Sequence, residues 1–214
     1  MTPLPNWRHP DRGVLFVITG PSGVGKSTLI RAAMARIPGL SFSVSATTRA
    51  ARAGEVDGAD YHFLTPEAFA AQREAGHFLE HATVYDRSYG TLQAPTEAAL
   101  ATGASLILDI DVQGAEQVRA KMPEAVLVFL IPPDAATLEA RLRARGTDSE
   151  EVIASRMRQL DAQMQGCDHY DYIVMNDDLT TAHAVFQGVL LAELSRIERR
   201  SRWVRDIQSE RRGF

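Results

Sequence analysis

The chain has 214 residues, of which 45% are hydrophobic and 23% are charged. This size and composition can bury one substantial core, and the ordinary glycine and proline counts exclude a disordered protein. The net charge of −4 gives no global electrostatic reason to bind nucleic acid or a membrane. Cys167 is the only cysteine, so no internal disulfide can form, and we expect a reducing, cytoplasmic setting.

The first predicted elements surround a glycine-rich turn. Residues 14–18 form a short apolar, β-branched run typical of a buried strand, and Lys26–Arg36 has the pattern of a helix. Polar and apolar residues alternate over 41–46, which predicts a strand with one solvated face. Residues 47–60 are rich in Thr, Arg, Gly and Asp and predict an exposed loop. A capped helix is then predicted to begin at Thr65-Pro66.

The second half alternates strands and helices more regularly. We predict strands over 105–110, 125–131 and 172–175, and helices over 134–145, 149–165 and 179 to about 205. This alternation predicts an α/β fold, with a parallel sheet and helices on both of its faces. The less regular stretch over about 45–95 is interpreted as an inserted substrate lobe.

Residues 20–27 read Gly-Pro-Ser-Gly-Val-Gly-Lys-Ser, which matches the phosphate-binding pattern G-x-x-x-x-G-K-[ST] between a strand and a helix. Glycines let backbone N–H groups turn toward phosphates, and the helix N-terminus adds a favourable dipole. Lys26 is expected to reach the β- and γ-phosphates, and the Ser27 hydroxyl to ligate Mg²⁺. The predicted ATP site consists of Gly20, Pro21, Ser22, Gly23, Val24, Gly25, Lys26, Ser27 and Thr28.

Two carboxylates, Asp109 and Asp111, close the predicted strand at 105–110. At i and i+2 they are expected to share one face, and the carboxyl ends of strands line the ligand crevice of an open α/β sheet. Either one could touch the acceptor, or Mg²⁺ through a water molecule; we assign the metal contact to Asp109. The alternative for Asp109 is a capping or turn aspartate, because Asp is common where strands give way to loops.

Several further motifs resemble the guanylate kinase family, in order, from about residue 14 to about residue 196. They are residues 43–49 (SVSATTR), 52–63 (RAGEVDGADYHF), 78–80 (FLE), 89–91 (YGT), 108–114 (LDIDVQG) and 176–178 (NDD). The block over 45–61 is far more specific than the phosphate-binding pattern. The resemblance implies transfer of the γ-phosphoryl group of MgATP to GMP. It also implies a P-loop NTPase three-layer fold with an inserted mixed α/β GMP-binding lobe and a helical lid.

The implied domain division follows from the same resemblance. It gives a P-loop core over 12–44, 96–140 and 159–205, a GMP lobe over 45–95 and a lid over 141–158. Outside the resemblance, the prolines near the N-terminus predict an irregular arm over 1–11, and residues 206–214 are assigned as a tail. Two departures leave the shape of the GMP loop open. Residues 86–88 (DRS) replace the usual Gly-Asn-aromatic stretch, and residues 50–51 (AA) replace the usual proline.

The resemblance implies a GMP site whose phosphate contacts are Arg49, Arg52, Tyr61 and Tyr89 and whose guanine contacts are Ser45, Glu80, Thr91 and Asp111. Arginines and phenols form a dense donor set suited to a dianionic phosphate. An ionised Glu80 can accept both the N1–H and the 2-amino group of guanine, whereas adenine would present a lone pair.

The catalytic group implied by the resemblance is Lys26 and Arg49 together with the lid arginines Arg141, Arg145 and Arg156. Arginines that close over the γ-phosphate would neutralise developing charge. The alternative for the lid arginines is a basic helix surface, because Arg143 and Arg158 make this region basic in any case.

Other functions stay open at this point. A non-catalytic interaction module is disfavoured by Lys26 and Ser27, and a kinase for another acceptor by Glu80 and Ser45. The H-x-x-E-H pattern at 77–81 imitates a zinc site, but we expect a strand there. The seven arginines over 196–212 could attract RNA or an acidic partner, although a solvated helix is the simpler interpretation. The expected partners are ATP and GMP, without nucleic acid or membrane; a homo-oligomer is left open.

Overall fold

The computed structural model of the chain describes residues 2–5, 7–84, 86–146, 148–164 and 167–212. The strands are β1 (Leu15–Thr19), β2 (Leu40–Phe42), β3 (Ala46–Thr47), β4 (His62–Phe63), β5 (Phe78–Val84), β6 (Arg87–Leu92), β7 (Ser105–Asp109), β8 (Val126–Ile131) and β9 (Tyr172–Met175). The helices are α1 (Lys26–Arg36), α2 (Pro66–Glu74), α3 (Gln93–Ala101), α4 (Val112–Lys121), α5 (Ala135–Ala144), α6 (Glu150–Met164), α7 (Leu179–Leu194) and α8 (Ser201–Arg212).

The core is a parallel sheet with the strand order β2-β7-β1-β8-β9. Its central strand β1 shows how the layers form, because successive side chains of a strand point to opposite faces. Phe16 and Ile18 join a buried cluster with residues of α1 and α7, while Leu15 and Val17 join another with α3 and α4. Helices therefore cover both faces of the sheet, which confirms the predicted α/β fold class.

A second, smaller sheet lies within residues 46–92, inside the predicted substrate lobe. Its order is β4-β3-β6-β5, with β3 parallel to β4 and the β3–β6 and β5–β6 pairs antiparallel. The rings of Phe69 in α2 and Phe78 in β5 stack with centroids 4.4 Å apart and form a small core there. Thr65 caps α2 as predicted, since its side chain accepts a hydrogen bond from the Ala68 N–H.

The prediction of a single strand over 41–46 is wrong. The chain leaves the core sheet after Phe42 and enters the second sheet at Ala46, so the two ends of that stretch belong to different sheets. Alternation reports only that each segment has two unlike faces, and it does not identify the partner strand.

The prediction of one long final helix is also wrong. Helix α7 ends at Leu194, a 3₁₀ turn follows at Ile197–Arg199, and α8 begins at Ser201. Between them the chain folds back, so that Arg196 and Arg199 reach the buried Glu193 carboxylate at 3.1 and 3.3 Å. This turn places two guanidinium groups on a buried carboxylate that would be costly to leave unpaired.

The two ends of the chain meet on the core. The Leu4 N–H donates to the Arg36 carbonyl, and the Arg200 guanidinium lies 4.8 Å from the Trp7 ring and 4.1 Å from the Trp203 ring. Trp7 also packs against the cluster formed by α1 and α7. The predicted irregular arm is therefore clamped to the C-terminal segment, a contact that the sequence did not reveal.

Some predicted positions fall outside the described residues. These are residues 1 and 6 of the arm, 85 of the lobe, 147 of the lid, 165 at the end of a predicted helix, 166 of the core, and 213–214 of the tail. Within the part of the chain that the structure describes, no helix is long and apolar enough to cross a bilayer.

Candidate active site

The phosphate-binding loop between β1 and α1 takes a shape that only glycine adopts without strain. Gly20, Gly23 and Gly25 have φ values of +139°, +88° and +100°. A Cβ on Gly20 would lie 2.3 Å from the Leu130 carbonyl oxygen, and one on Gly25 would lie 2.4 Å from the side-chain nitrogen of Asn176. The predicted loop therefore meets a backbone requirement at each of these glycines.

This loop lines a cavity of about 430 Å³. The lining residues are Pro21, Ser22, Gly23, Gly25, Lys26, Ser27, Thr28, Asp109, Arg141 and Arg145. Of the remaining residues in the predicted ATP set, Gly20 accepts a hydrogen bond from Lys26 through its carbonyl oxygen, and the Val24 side chain is buried in the core. The cavity brings the loop together with two of the predicted lid arginines.

Lys26 and Asp109 form the polar centre of this cavity. The Lys26 ammonium donates to the Gly20 carbonyl at 2.8 Å and lies 3.8 Å from an oxygen of Asp109. Burial lowers the pKa of Lys26, and Asp109 opposes that shift. Burial likewise raises the pKa of Asp109, and Lys26 opposes it. Burial disfavours the charged form of each group, and the opposite charge of the other group stabilises it.

A second cavity of about 400 Å³ also borders Asp109. It is lined by Phe42, Ser43, Ser45, Ala59, Asp60, Tyr61, Ile107, Leu108, Asp109 and Ile110. Asp109 is the residue that the two linings share. Two ligand-sized spaces therefore meet at one carboxylate, at the carboxyl end of β7, where ligands bind in open α/β sheets.

Glu80 lies in β5 directly opposite Thr91 in β6. It is only 6% exposed, and the Thr91 hydroxyl donates to its carboxylate at 2.6 Å. Burial raises the pKa of Glu80, the Thr91 hydrogen bond opposes that shift, and the charge of Asp111 adds to it. A buried carboxylate with one donor bound retains lone pairs for a ligand that brings its own donors.

The prediction that Asp111 shares a strand face with Asp109 is wrong. Strand β7 ends at Asp109, and Asp111 is the N-cap of α4, where it accepts a hydrogen bond from the Gly114 N–H at 2.8 Å. The capping role that the sequence left open for Asp109 thus belongs to Asp111. It still lies close enough to Glu80 to influence its pKa.

The predicted phosphate-binding residues gather around Arg49. Its guanidinium lies 5.3 Å from the Tyr61 ring centre, and the rings of Tyr61 and Tyr89 are 6.4 Å apart. Arg52 has an exposed side chain and joins the group through its backbone N–H, which donates to Glu55 at 2.6 Å. Ser45 also reaches this region, since it lines the second cavity beside Tyr61.

Glu55 organises this group, and the sequence reasoning assigned it no role. Its two oxygens accept from the two terminal nitrogens of Arg49 at 2.8 and 2.9 Å. Hydrogen bonds from Arg49 and from the Arg52 N–H lower the pKa of Glu55 to about 2. The signal was present in the sequence, because Glu55 lies three residues after Arg52 in the most specific motif.

The three arginines predicted to belong to a lid all face the phosphate-binding loop or its cavity. Arg141 donates to the carbonyls of Asn176 and Asp177, and Arg145 lines the cavity with it. Arg156 donates to the Ser22 hydroxyl at 2.8 Å and pairs with Asp148 at 3.0 Å.

Arg143 behaves differently from the predicted lid arginines, although it lies in α5 with Arg141. It forms ion pairs with Glu139 at 2.7 Å and Glu150 at 3.1 Å. The contacts of Arg143 are therefore with acidic side chains of α5 and α6, whereas the predicted lid arginines contact the phosphate-binding loop or its cavity.

Asn176 is a further site residue that was noted only as part of a motif. Its buried side chain donates to the Val24 carbonyl at 2.7 Å, and its own carbonyl accepts from Arg141 at 2.8 Å. It therefore joins the phosphate-binding loop to the end of β9 and to α5.

A divalent cation would find a limited protein ligand set here. Ser27 and Asp109 line the same cavity, whereas the described residues contain no group of three or more His, Cys, Asp or Glu arranged to hold a metal ion. This fits Mg²⁺ bound with a nucleotide, because such sites use one or two protein groups together with water and phosphate oxygens.

Comparison with known proteins agrees with this geometry. A family model described as guanylate kinase matches residues 12–193. The chain belongs to the guanylate kinase family. A guanylate kinase of Nitrobacter hamburgensis is 47% identical over 203 residues, covering 93% of both chains. One of Carboxydothermus hydrogenoformans is 47% identical over 182 residues, covering 85% of this chain and 89% of the relative.

The structural comparison points to the same family. The crystal structure of guanylate kinase from Anaplasma phagocytophilum superposes with a TM-score of 0.64 at 31% identity, covering 89% of this chain and 91% of that one. The family and the P-loop NTPase fold predicted from the motifs are thus confirmed. The family match spans both sheets and both cavities.

Proposed function

We propose that the protein transfers the γ-phosphoryl group of ATP to GMP, forming ADP and GDP, and so acts in purine nucleotide metabolism. The observation that carries this proposal is the meeting of two ligand-sized cavities at Asp109. One cavity has the chemistry of a triphosphate site, and the other opens toward the motif that is most specific for the family. A donor and an acceptor bound there would have their phosphates adjacent.

On the donor side, the backbone N–H groups of residues 20–28 and the N-terminus of α1 would hold the phosphates. Lys26 would pair with the β- and γ-phosphate oxygens, and Arg141, Arg145 and Arg156 would surround the transferring group. Their positions around one cavity and its loop support this assignment. Fixed positive charges that meet developing negative charge are the main protein contribution to phosphoryl transfer.

We propose Mg²⁺ as the cofactor, held by the Ser27 hydroxyl and, through water, by Asp109. When bound with ATP it would neutralise the phosphate oxygens. The Lys26–Asp109 pair supports this assignment. A bound cation would balance the negative charge of Asp109 in place of Lys26, and Lys26 would then be available to the phosphates.

On the acceptor side, Arg49, Arg52, Tyr61 and Tyr89 would bind the GMP phosphate. The Arg49 guanidinium is held by two hydrogen bonds to the Glu55 carboxylate, so its orientation is set before the ligand arrives. Holding the acceptor phosphate still is a large part of what such an enzyme can contribute.

Ser45, Glu80, Thr91 and Asp111 would bind the guanine base. With one lone pair taken by Thr91, the ionised Glu80 can still accept the N1–H and 2-amino groups. Adenine places a lone pair where guanine has N1–H, so the same carboxylate would repel it.

We propose ATP and GMP as the substrates, with neither nucleic acid nor membrane as a partner, and a cytoplasmic location. The negative net charge and the single cysteine support these assignments.

A coupled assay of ADP release tests the function directly. We expect turnover with GMP well above that with AMP, CMP or UMP, and dependence on Mg²⁺. Turnover with none of the four would favour a non-catalytic interaction module. Efficient turnover of another nucleotide would favour a kinase for a different acceptor.

A further inference from the structure

Helix α4 turns one face toward the strand that carries Glu80. Asp111, Gly114, Gln117 and Lys121 are spaced by three or four residues, so they lie along one side of the helix. A Cβ added to Gly114 would lie 3.4 Å from a Glu80 oxygen, which places the helix directly against the carboxylate. The other three residues make polar contacts with their side chains.

Gln117 acts toward β5 as a neighbouring strand would. Its side-chain oxygen accepts from the His81 N–H at 3.1 Å, and its side-chain nitrogen donates to the His81 carbonyl at 3.2 Å. Strand β5 is at the edge of the second sheet, where backbone groups lack a partner strand. One side-chain amide thus satisfies both backbone groups of the residue that follows Glu80.

The backbone on the other side of Glu80 is also held by α4. Lys121 donates a hydrogen bond to the Phe78 carbonyl. Between Phe78 and Glu80 the pairing of β5 with β6 slips by one residue. Bulges of this kind re-aim side chains, and the ladder alone does not hold them firmly. Contacts from α4 therefore hold the β5 backbone on both sides of Glu80, next to the bulge that precedes it.

From these contacts we propose that Gln117 is a positioning residue for base recognition, which acts by fixing the β5 backbone so that the Glu80 carboxylate meets the guanine edge. The inference rests on the proposed function, in which Glu80 accepts two parallel hydrogen bonds. Such a pair weakens steeply with misalignment, whereas a single hydrogen bond tolerates more movement. Gln117 itself needs no contact with the nucleotide.

The discriminating variant is Gln117→Met, which keeps the length of the side chain and removes its amide. We expect kcat/KM for GMP to fall by about five- to fiftyfold, as for the loss of well-formed polar contacts. The preference for GMP over AMP should narrow, and the KM for ATP should stay within about twofold, because the donor cavity is not touched. Gln208→Met, on the exposed surface of α8, makes the same chemical change away from both cavities and should leave all three values unchanged.

A double-mutant cycle with Glu80→Gln separates positioning from a general loss of stability. If Gln117 acts through Glu80, the double variant should lose no more GMP-over-AMP preference than Glu80→Gln alone. Additive losses, or a Gln117→Met variant with the full wild-type preference, would overturn the proposal. Thermal melts of all variants establish that each is folded.

The same experiment distinguishes failure of this inference from failure of the proposed function. A wild-type protein without GMP turnover, or a Glu80→Gln variant with an unchanged base preference, would contradict the assignment of Glu80 itself. If Glu80→Gln loses the preference for GMP over AMP and Gln117→Met keeps it, only the role of Gln117 is contradicted.

Discussion

The ammonium group of Lys26 lies 3.8 Å from a carboxylate oxygen of Asp109, at the point where the two candidate nucleotide cavities meet. Lys26 is the first residue of α1, and Asp109 is the last residue of β7, the strand that pairs with β1. Parallel pairing of adjacent strands therefore brings together two groups that are 83 positions apart in the sequence. A transferred phosphoryl group would pass close to this pair.

Replacing Lys26 by Met should abolish most turnover and leave the fold intact. The ammonium donates to the Gly20 carbonyl and pairs with Asp109, whose side chain is 30% exposed and can be solvated in the variant. The cost in stability is therefore small compared with the loss of a charge at the transferring group. We expect kcat to fall by roughly 100-fold or more. Steady-state kinetics with a thermal melt measures both effects, and a variant with near wild-type kcat would remove the loop lysine from the mechanism.

Replacing Glu80 by Gln should damage base recognition selectively. The new NH₂ group would face a guanine N–H, so that a hydrogen bond becomes a donor–donor contact and kcat/KM for GMP falls by about ten- to several-hundredfold. The preference for GMP over AMP should narrow, because the carboxylate no longer repels adenine. Kinetics with GMP and AMP varied at saturating ATP decides this, and an unchanged ratio would show that Glu80 is not the guanine reader.

The same substitution should alter the pH dependence of stability. Burial raises the pKa of Glu80 in the folded protein above its ordinary value of 4.5. Between pH 4.5 and this raised pKa, the folded state holds a proton that the unfolded state has lost. Glu80 therefore makes the free energy of unfolding fall as the pH rises through this range. The Glu80→Gln variant has no carboxyl group at this position and therefore does not show this pH-dependent fall in the free energy of unfolding. Its midpoint of urea unfolding should therefore rise relative to wild type as the pH increases from 4.5, and parallel curves would contradict the prediction.

Replacing Glu55 by Gln should weaken GMP binding without changing ATP binding. The variant keeps the length of the side chain but loses the charge that fixes the Arg49 guanidinium, so we expect KM for GMP to rise by about three- to tenfold. Glu74→Gln, an exposed position in α2 of the same lobe, is the matched control. Because the pKa of Glu55 is about 2, its contribution is complete above pH 4.5 and lost only as the pH falls from there toward 2. Above pH 4.5, the pH dependence of activity should therefore be the same in the variant as in the wild type.

The lobe over 45–95 and the lid over 141–158 should close over the two nucleotides, because exclusion of water prevents ATP hydrolysis. The Arg156–Ser22 hydrogen bond already joins α6 to the phosphate-binding loop, so we expect the larger movement in the lobe. Small-angle scattering and interprobe distances should show compaction when both nucleotides are bound. Unchanged values in the doubly liganded protein would contradict closure.

The sequence alone determined the local elements of the site. Glycines at 20, 23 and 25 were predictable because a tight loop around phosphates needs positive φ, and the loop, the flanking strand and α1 follow one another in the chain. The motif over 45–61 identified Arg49 and Tyr61 together, and the apolar runs at β1, β7 and β8 predicted a parallel sheet. These features depend on residues close in sequence, whose spacing is fixed by helix and strand geometry.

The tertiary structure decided the contacts between distant segments. The sequence did not reveal that residues 41–46 divide between two sheets, or that Asp111 caps α4. Nor did it reveal that α7 ends at Leu194 and that Arg196 and Arg199 pair with Glu193. It also gave no reason to connect Gln117 with His81, or Asn176 with Val24. A pattern of apolar and polar residues specifies which face of an element is buried, but the partner of a buried polar group is chosen only when packing brings separate segments within hydrogen-bonding distance.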